Sequence, residues 1–163
     1  MCKVSSKRLS WDKYFMTIVG AAAGRATCDR GRSGAIIVKD KRIIATGYVG
    51  SPPGLPHCDE DGHLIREVIN EEGKKSMHCI RTLHAEQNAI LQAARYGVSI
   101  NGATLYCTMT PCFNCAKMIV AVGVKRVVVG GRYHADGLSV ELFNVAGVKL
   151  DILEDAVVKY DNQ

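Results

Sequence analysis

The chain has 163 residues, 47% of them hydrophobic, and a formal net charge of +5. That length suits a single domain, residues 1–163, with a real buried core, and no apolar run approaches the roughly 20 residues of a membrane-spanning helix. The start, Met1-Cys2-Lys3-Val4-Ser5-Ser6-Lys7-Arg8, lacks an apolar stretch with a small-residue cleavage site, so a cytoplasmic protein is expected and its seven cysteines read as reduced thiols.

Charge is unevenly spread. Residues 1–50 hold ten Lys or Arg against three acids, whereas residues 51–163 hold eleven against thirteen. A basic end can meet phosphate, on a nucleotide or on nucleic acid. Arg25, Arg30 and Arg32 sit among Gly24, Thr27, Gly31 and Ser33, a loop composition in which forked guanidiniums can grip phosphate.

In chain order, residues 10–23 read as a helix capped by Ser10, with Trp11, Tyr14, Phe15, Ile18 and Ala22 on the apolar face and Gly24 at the end. Residues 34–39 and 42–47 are β-branched runs around Asp40-Lys41 and predict a hairpin. Regular periodicity fails over residues 48–81, where Ser51-Pro52-Pro53-Gly54-Leu55-Pro56 breaks any helix. This is a long irregular insertion carrying His57, Cys58, His63, His78 and Cys79, with a short helix predicted over residues 64–72. A helix over residues 83–96 follows, with an Ala85, Ala89 and Ala93 stripe, Ile90 and Leu91 toward the core, and Gly97 as its stop. Then come a strand (103–109), a helix (112–122), a strand (125–129), a helix (138–146) and a strand (148–153). Alternating strands and helices predict a three-layer α/β/α fold, with a five-stranded mixed sheet and the hairpin at its front.

Two short pieces carry the chemistry: His84-Ala85-Glu86 and Pro111-Cys112-Phe113-Asn114-Cys115. They supply one imidazole, two thiols and a spare carboxylate. A catalytic zinc site needs three protein ligands and an open position, and hydrolysis also needs a carboxylate to move protons. His84, Cys112 and Cys115 are the predicted metal ligands and Glu86 the proton carrier. With Thr110 capping and Pro111 opening the helix, Cys112 and Cys115 fall one turn apart on one side. His84 and Glu86 would lie about 200° apart on a regular helix, so both can face one ion only at a frayed first turn. The competing reading is a closed structural site with a fourth ligand such as Cys79. Cys107 on a core strand and Cys2 in the tail are read as unreactive.

His-x-Glu with Pro-Cys-x-x-Cys is the signature of zinc deaminases. Together with Ser10-Trp11-Asp12-Lys13-Tyr14-Phe15-Met16, Gly47-Tyr48-Val49-Gly50-Ser51-Pro52 and His84-Ala85-Glu86-Gln87-Asn88-Ala89-Ile90, it makes the chain resemble the deoxycytidylate (dCMP) deaminases of the cytidine deaminase superfamily. The resemblance runs from about Leu9 to Leu153. It implies a cytidine-deaminase-like fold, zinc-dependent hydrolysis of dCMP to dUMP for thymidylate synthesis, and a hexamer controlled by dCTP and dTTP with Mg2+ on the triphosphate. It implies further that Tyr133 lies near the base; from the basic loop, Arg25 is expected to bind the substrate as well. Gly47, Tyr48, Val49, Gly50 and Arg95 then belong to an effector site, although the family usually has Asn at Val49. It implies finally a second, structural zinc held by Cys28, Cys58, His63 and Cys79, with His57 and His78 as alternates. Two other readings stand beside it: a different zinc deaminase, acting on a nucleoside, a base or tRNA adenosine, and a catalytically dead zinc protein serving assembly. The basic residues lack interleaved aromatics for stacking bases, so nucleic acid is not the expected partner.

Overall fold

A computed structural model describes residues 8–70 and 73–160. Cys2 lies outside the described residues. The first helix, α1 (Trp11–Ala23), starts at Ser10, whose side chain accepts a hydrogen bond from Lys13 N, and ends at Gly24. Strands β1 (Gly34–Lys39) and β2 (Arg42–Tyr48) form the predicted hairpin. Asp40 and Lys41 both take positive φ, 49° and 61°, the two-residue turn whose twist matches antiparallel strands.

The insertion is more regular than its sequence suggests. It holds one short helix, α2 (Cys58–Asp61), and an antiparallel pair, β3 (Ile65–Ile69) and β4 (Lys75–Cys79). Where a helix is predicted over residues 64–72, Ile65–Ile69 form a strand instead, and residues 71 and 72 lie outside the described residues. Ile65, Val68 and Ile69 are spaced three and four apart, which mimics a helix face, but the partner strand and the turn from Asn70 decide the outcome. Asn70 Oδ1 accepts from Lys74 N at 2.8 Å, closing that turn.

After α3 (Ala85–Arg95) come β5 (Thr104–Met109), α4 (Phe113–Ala121), β6 (Arg126–Gly131), α5 (Gly137–Ala146) and β7 (Lys149–Ile152). The main sheet has the order β2-β1-β5-β6-β7, antiparallel on the hairpin side and parallel from β5 to β7, so the mixed five-stranded sheet is as predicted.

Side chains alternate across this sheet, and each face builds its own core. Ile36, Val38, Tyr106 and Val128 pack with Phe15 and Val19 of α1, while Ala35, Ile37, Leu105, Cys107, Val127 and Val129 pack with Ala85, Ala89, Ile119 and Phe143 of α3, α4 and α5. The result is three layers. α1 meets the sheet along Phe15 and Val19, which leaves Trp11 51% and Tyr14 45% exposed rather than buried as the helical spacing suggests. Trp11 instead stacks on Phe15 at 5.6 Å, with Lys41 over its ring. Leu91 is likewise exposed, and the alanine stripe is buried as predicted.

One polar cluster ties layers together on the α1 face. Arg126 donates to both carboxylate oxygens of Asp12, at 3.0 and 2.9 Å, and to Asp151 at 2.7 Å, while Tyr106 donates to Asp12 at 2.8 Å. Arg126 holds the Asp12 carboxyl below the usual carboxylate range, against the effect of partial burial. Burial first, and then Asp12, push the Tyr106 hydroxyl up to about 12.

Candidate active site and metal centres

Parallel strands bring two helix starts to one end of the sheet. β5 stops at Met109, the chain turns through Thr110 and Pro111, and α4 begins one residue after Cys112. Cys112, not Thr110, is the N-cap, with extended backbone (φ −65°, ψ 164°). Thr110 is buried and bonds Gly131 O through its N–H at 3.1 Å, tying the turn to the end of β6. The cap is thus displaced two residues from the prediction, yet Cys112 and Cys115 still share one side of the first turn.

His84 occupies the same position at the start of α3. It is the N-cap (φ −69°, ψ 159°), and its N–H donates to the Gln87 side chain at 2.8 Å. A capping residue has left helical geometry, so the angular obstacle between His84 and Glu86 disappears. Gln87, three residues after the cap, is the sequence signal that marks this helix start.

The three donors converge. His84 Nδ1 lies 3.5 Å from Cys112 Sγ and 3.4 Å from Cys115 Sγ, and all three atoms fall within 4.8 Å of one another. Tetrahedral zinc, with Zn–N near 2.0 Å and Zn–S near 2.3 Å, places such atoms about 3.6 Å apart, so the set fits that ion. In the protein alone, a hydrogen bond with Cys112 raises His84 to about 9 against burial, and Cys115 and then His84 hold Cys112 down at about 4. Cys115 is raised, by Cys112 first and burial second. Holding a divalent metal requires the thiolate and neutral-imidazole forms, so binding would release the protons these donors carry.

Glu86 stands beside this trio, 5% exposed. Burial raises its carboxyl pKa, with the neighbouring His84 acting the other way. Burial also raises the thiol of Cys107, which faces Glu86 and donates to Met109 O at 3.2 Å. The sequence marks Cys107 only as a core residue on a strand. Its place against the carboxylate follows from the pairing of β5 between β1 and β6.

Above the trio opens a cleft of about 510 Å³. Its walls include Arg30, Ser33, Val49, His78, Tyr133 and Tyr160, with His84, Glu86 and Cys112 also lining it. Arg30 supplies a fixed positive charge to this wall, burial lowers the pKa of His78 and so favours its neutral ring, and Glu86 is the one carboxylate among the described lining residues. Arg30 donates to Met77 O at 3.0 Å, fastening the residue 28–33 loop to β4. Tyr133 lies in the wall, its ring 4.2 Å from that of His134. Arg25 does not line the cleft. It is exposed just beyond α1, whereas Arg30 of the neighbouring loop lines the cleft.

A second cluster joins the same wall. Cys28, Cys58, His63 and Cys79 bring four donor atoms within 4.8 Å of one another, with Cys58 Sγ 3.6 Å from Cys79 Sγ and Cys28 Sγ 3.6 Å from His63 Nδ1. Here burial and the Cys79 thiol raise Cys58, whereas Cys79 is lowered to about 7 by hydrogen bonds that outweigh its burial. His63 Nε2 meets Asp29 at 2.9 Å, the carboxylate–histidine pairing that orients a metal ligand. The two alternates are engaged elsewhere: His57 Nδ1 with Thr27 Oγ1 at 3.0 Å, and His78 Nε2 with Ser76 Oγ at 2.8 Å.

The expected effector residues have local structural work. A Cβ on Gly47 would lie 2.5 Å from Ala89 N, so β2 reaches α3 only through a glycine. Asn88 Nδ2 donates to Tyr48 O at 2.7 Å and to Gly50 O at 3.3 Å, and Gly50 pairs with Leu83. Val49 is buried in the cleft wall. Arg95 is exposed in the last turn of α3, about 16 Å along the helix from His84 at 1.5 Å per residue.

A three-layer sheet with a three-donor cluster, an open corner and a buried glutamate at its floor defines a zinc-dependent hydrolase of the deaminase type. Residues 9–131 match the family described as the cytidine and deoxycytidylate deaminase zinc-binding region, and the chain belongs to that family. It is 43% identical over 148 residues to ComE operon protein 2 of Bacillus subtilis, covering 91% of this chain and 74% of that protein. It is 41% identical over 143 residues to the deoxycytidylate deaminase of Schizosaccharomyces pombe, covering 88% of this chain but only 44% of the yeast enzyme. Among solved structures, the dCMP deaminase of cyanophage S-TIM5 in complex with dCMP and dUMP superposes with a TM-score of 0.72 at 31% identity, over 90% of this chain and 99% of that one. Among the described residues, no helix is long and apolar enough to cross a membrane.

Proposed function

We infer that the protein hydrolyses dCMP to dUMP and ammonia with a zinc ion held by His84, Cys112 and Cys115. The observation that carries this is the buried Glu86 beside a three-donor cluster at the floor of a nucleotide-sized cleft with a cationic rim. When bound, zinc supplies the nucleophile by lowering the pKa of a water toward about 7. Glu86 takes the proton released by the attacking water and delivers it to the ring nitrogen next to the reacting carbon. The second proton, from the hydroxyl added to that carbon, passes through Glu86 to the departing amino group, so the carbon–nitrogen bond breaks, ammonia leaves and a keto group remains. Burial keeps this carboxylate away from bulk water, and its position off the trio leaves it free to exchange protons. Tyr133 offers an apolar face to the base, and Arg30 offers the monophosphate a cationic partner.

The four-donor cluster is the structural counterpart. Its four donors fit a closed zinc site, which would pin the β3–β4 hairpin, whose strands pair, among the described residues, only with each other. Assembly as a hexamer and control by dCTP or dTTP with Mg2+ complete the proposal. Sedimentation and rates measured with and without each triphosphate test them.

Glu86→Gln tests the central role. The variant should retain the catalytic zinc and lose about 10²–10⁴-fold in kcat, the usual contribution of a positioned proton carrier. A variant that keeps wild-type ammonia release, or one that loses the zinc while folded, contradicts the assignment.

A further inference from the structure

The chain does not leave the sheet after β7. Leu153 N donates to Val129 O at 3.0 Å and Glu154 N to Gly130 O at 3.1 Å. The strand-like path then continues past the end of β6. Arg132 N donates to Ala156 O at 2.7 Å, Val158 N donates to Arg132 O at 2.9 Å, and Arg132 pairs with Val157 in a parallel bridge. Gly131 is what lets this strap lie flat, since a Cβ there would sit 2.7 Å from Val158 Cγ2 and 2.9 Å from Ala156 O. Arg132 is itself braced, by two contacts to Asp136 at 3.1 and 2.9 Å and one to Asp155 at 3.4 Å.

Two residues beyond Val158 the strap delivers Tyr160 into the cleft wall. Its hydroxyl donates to Arg32 O at 3.3 Å, on the same loop that presents Arg30, Gly31 and Ser33 to the cleft. Burial raises the Tyr160 hydroxyl pKa; Ser33 opposes this, and Glu86 adds to it across the reaction space. Tyr160 therefore bridges two otherwise separate walls, the C-terminal strap and the residue 30–33 loop. A tyrosine serving only to anchor the strap would not need to face the cleft, because the strap is already held by backbone bonds and Val158.

We propose that Tyr160 is a positioning residue for the nucleotide: its ring closes the cleft against the substrate, and its hydroxyl holds the Arg32 carbonyl so that Arg30 meets the monophosphate. This role rests on dCMP as the substrate. It predicts an effect on binding, concentrated on the phosphorylated substrate, with the chemical step spared, because no proton passes through the tyrosine.

The test uses the zinc-loaded full chain with Tyr160→Phe and Tyr160→Ala, assayed for ammonia release on dCMP and on deoxycytidine and for affinity toward the product dUMP by calorimetry. Tyr160→Phe should raise the KM for dCMP about five-fold, the effect of one net hydrogen bond, and leave the KM for deoxycytidine unchanged. Tyr160→Ala should raise it at least about ten-fold, since ring contact is lost as well, with dUMP affinity weakened in parallel and kcat little altered. An active Tyr160→Ala protein with wild-type KM and dUMP affinity would overturn the role, as would an equal loss on deoxycytidine. Should the alanine variant fail to fold, the phenylalanine variant carries the same decision. A wild-type protein that releases no ammonia from dCMP would remove the substrate reading and this role with it, whereas an active enzyme insensitive to Tyr160 removes only the latter.

Discussion

Replacing Gly47 with alanine separates a packing role from an effector role. In the structure β2 approaches the first turn of α3 so closely that a Cβ at residue 47 would sit 2.5 Å from Ala89 N and nearer still to Ala85 O, where ordinary contact begins at 3.4 Å. Both obstacles are backbone, so no rotamer change relieves them. Strand and helix must separate by roughly an ångström, and overpacking of this kind costs about 1–3 kcal/mol. For a chain of this size each kcal/mol lowers the melting midpoint by about 2–4 °C, so Gly47→Ala should melt about 2–12 °C below wild type. Ala85 lies between His84 and Glu86, so the displacement reaches the reacting groups, and misplacement of about 1 Å can cost about 100-fold in rate. Calorimetric melts and ammonia-release kinetics, each run with and without dCTP, measure the two effects. A variant with a wild-type melting midpoint and basal rate, altered only in its response to dCTP, would refute the packing argument and restore Gly47 to an effector site.

Other outcomes follow from the same geometry. Arg30→Gln should lower kcat/KM for dCMP by about 10–150-fold, matching about 1.5–3 kcal/mol for a charged hydrogen bond, and leave deoxycytidine turnover nearly unchanged; equal losses on both would deny the phosphate contact. Zinc analysis should find two equivalents per chain in the wild type and one in a Cys58→Ser, Cys79→Ser double variant, with a lower melting midpoint; a single equivalent in both proteins would remove the second metal. Asp12 titrates below its ordinary value because of Arg126, so the unfolded chain takes up its proton first as pH falls. The stability Asp12 contributes is complete above about pH 4, its unfolded range, and is lost as pH drops through the lower folded value. Asp12→Asn should therefore be most destabilising at neutral pH and converge on wild type in acid; a constant difference across pH would show that charge is not the cause.

Local signals carried much of this protein. Alternating apolar strands, Ser10 as a cap and the Asp40-Lys41 turn are decided by neighbours within a few residues, and the sheet, α1 and the hairpin stand where those neighbours place them. The metal trio was legible for the same reason, since two ligands lie one turn apart and the third heads the other helix. Glu86 could be singled out because it has no purpose in a closed structural site. What local pattern could not decide was any feature that depends on which distant segments meet. The β3 segment has spacing compatible with helix or strand, and only β4 resolves it. Trp11 and Tyr14 look like core residues until the sheet proves to meet α1 along Phe15 and Val19.

The site divides along the same line. Residue types and short spacing determined the chemistry, because a zinc trio and a proton carrier are defined by their atoms and by one helical turn. Tertiary structure alone decided the shape of the cleft, because the residues lining it come from six separate stretches of chain. It set Arg30 rather than Arg25 at the rim, through the Met77 carbonyl, and faced Cys107 toward Glu86. It also carried Tyr160 from beyond the last strand into the wall, along a path that only Gly131 and the edge of β6 make available.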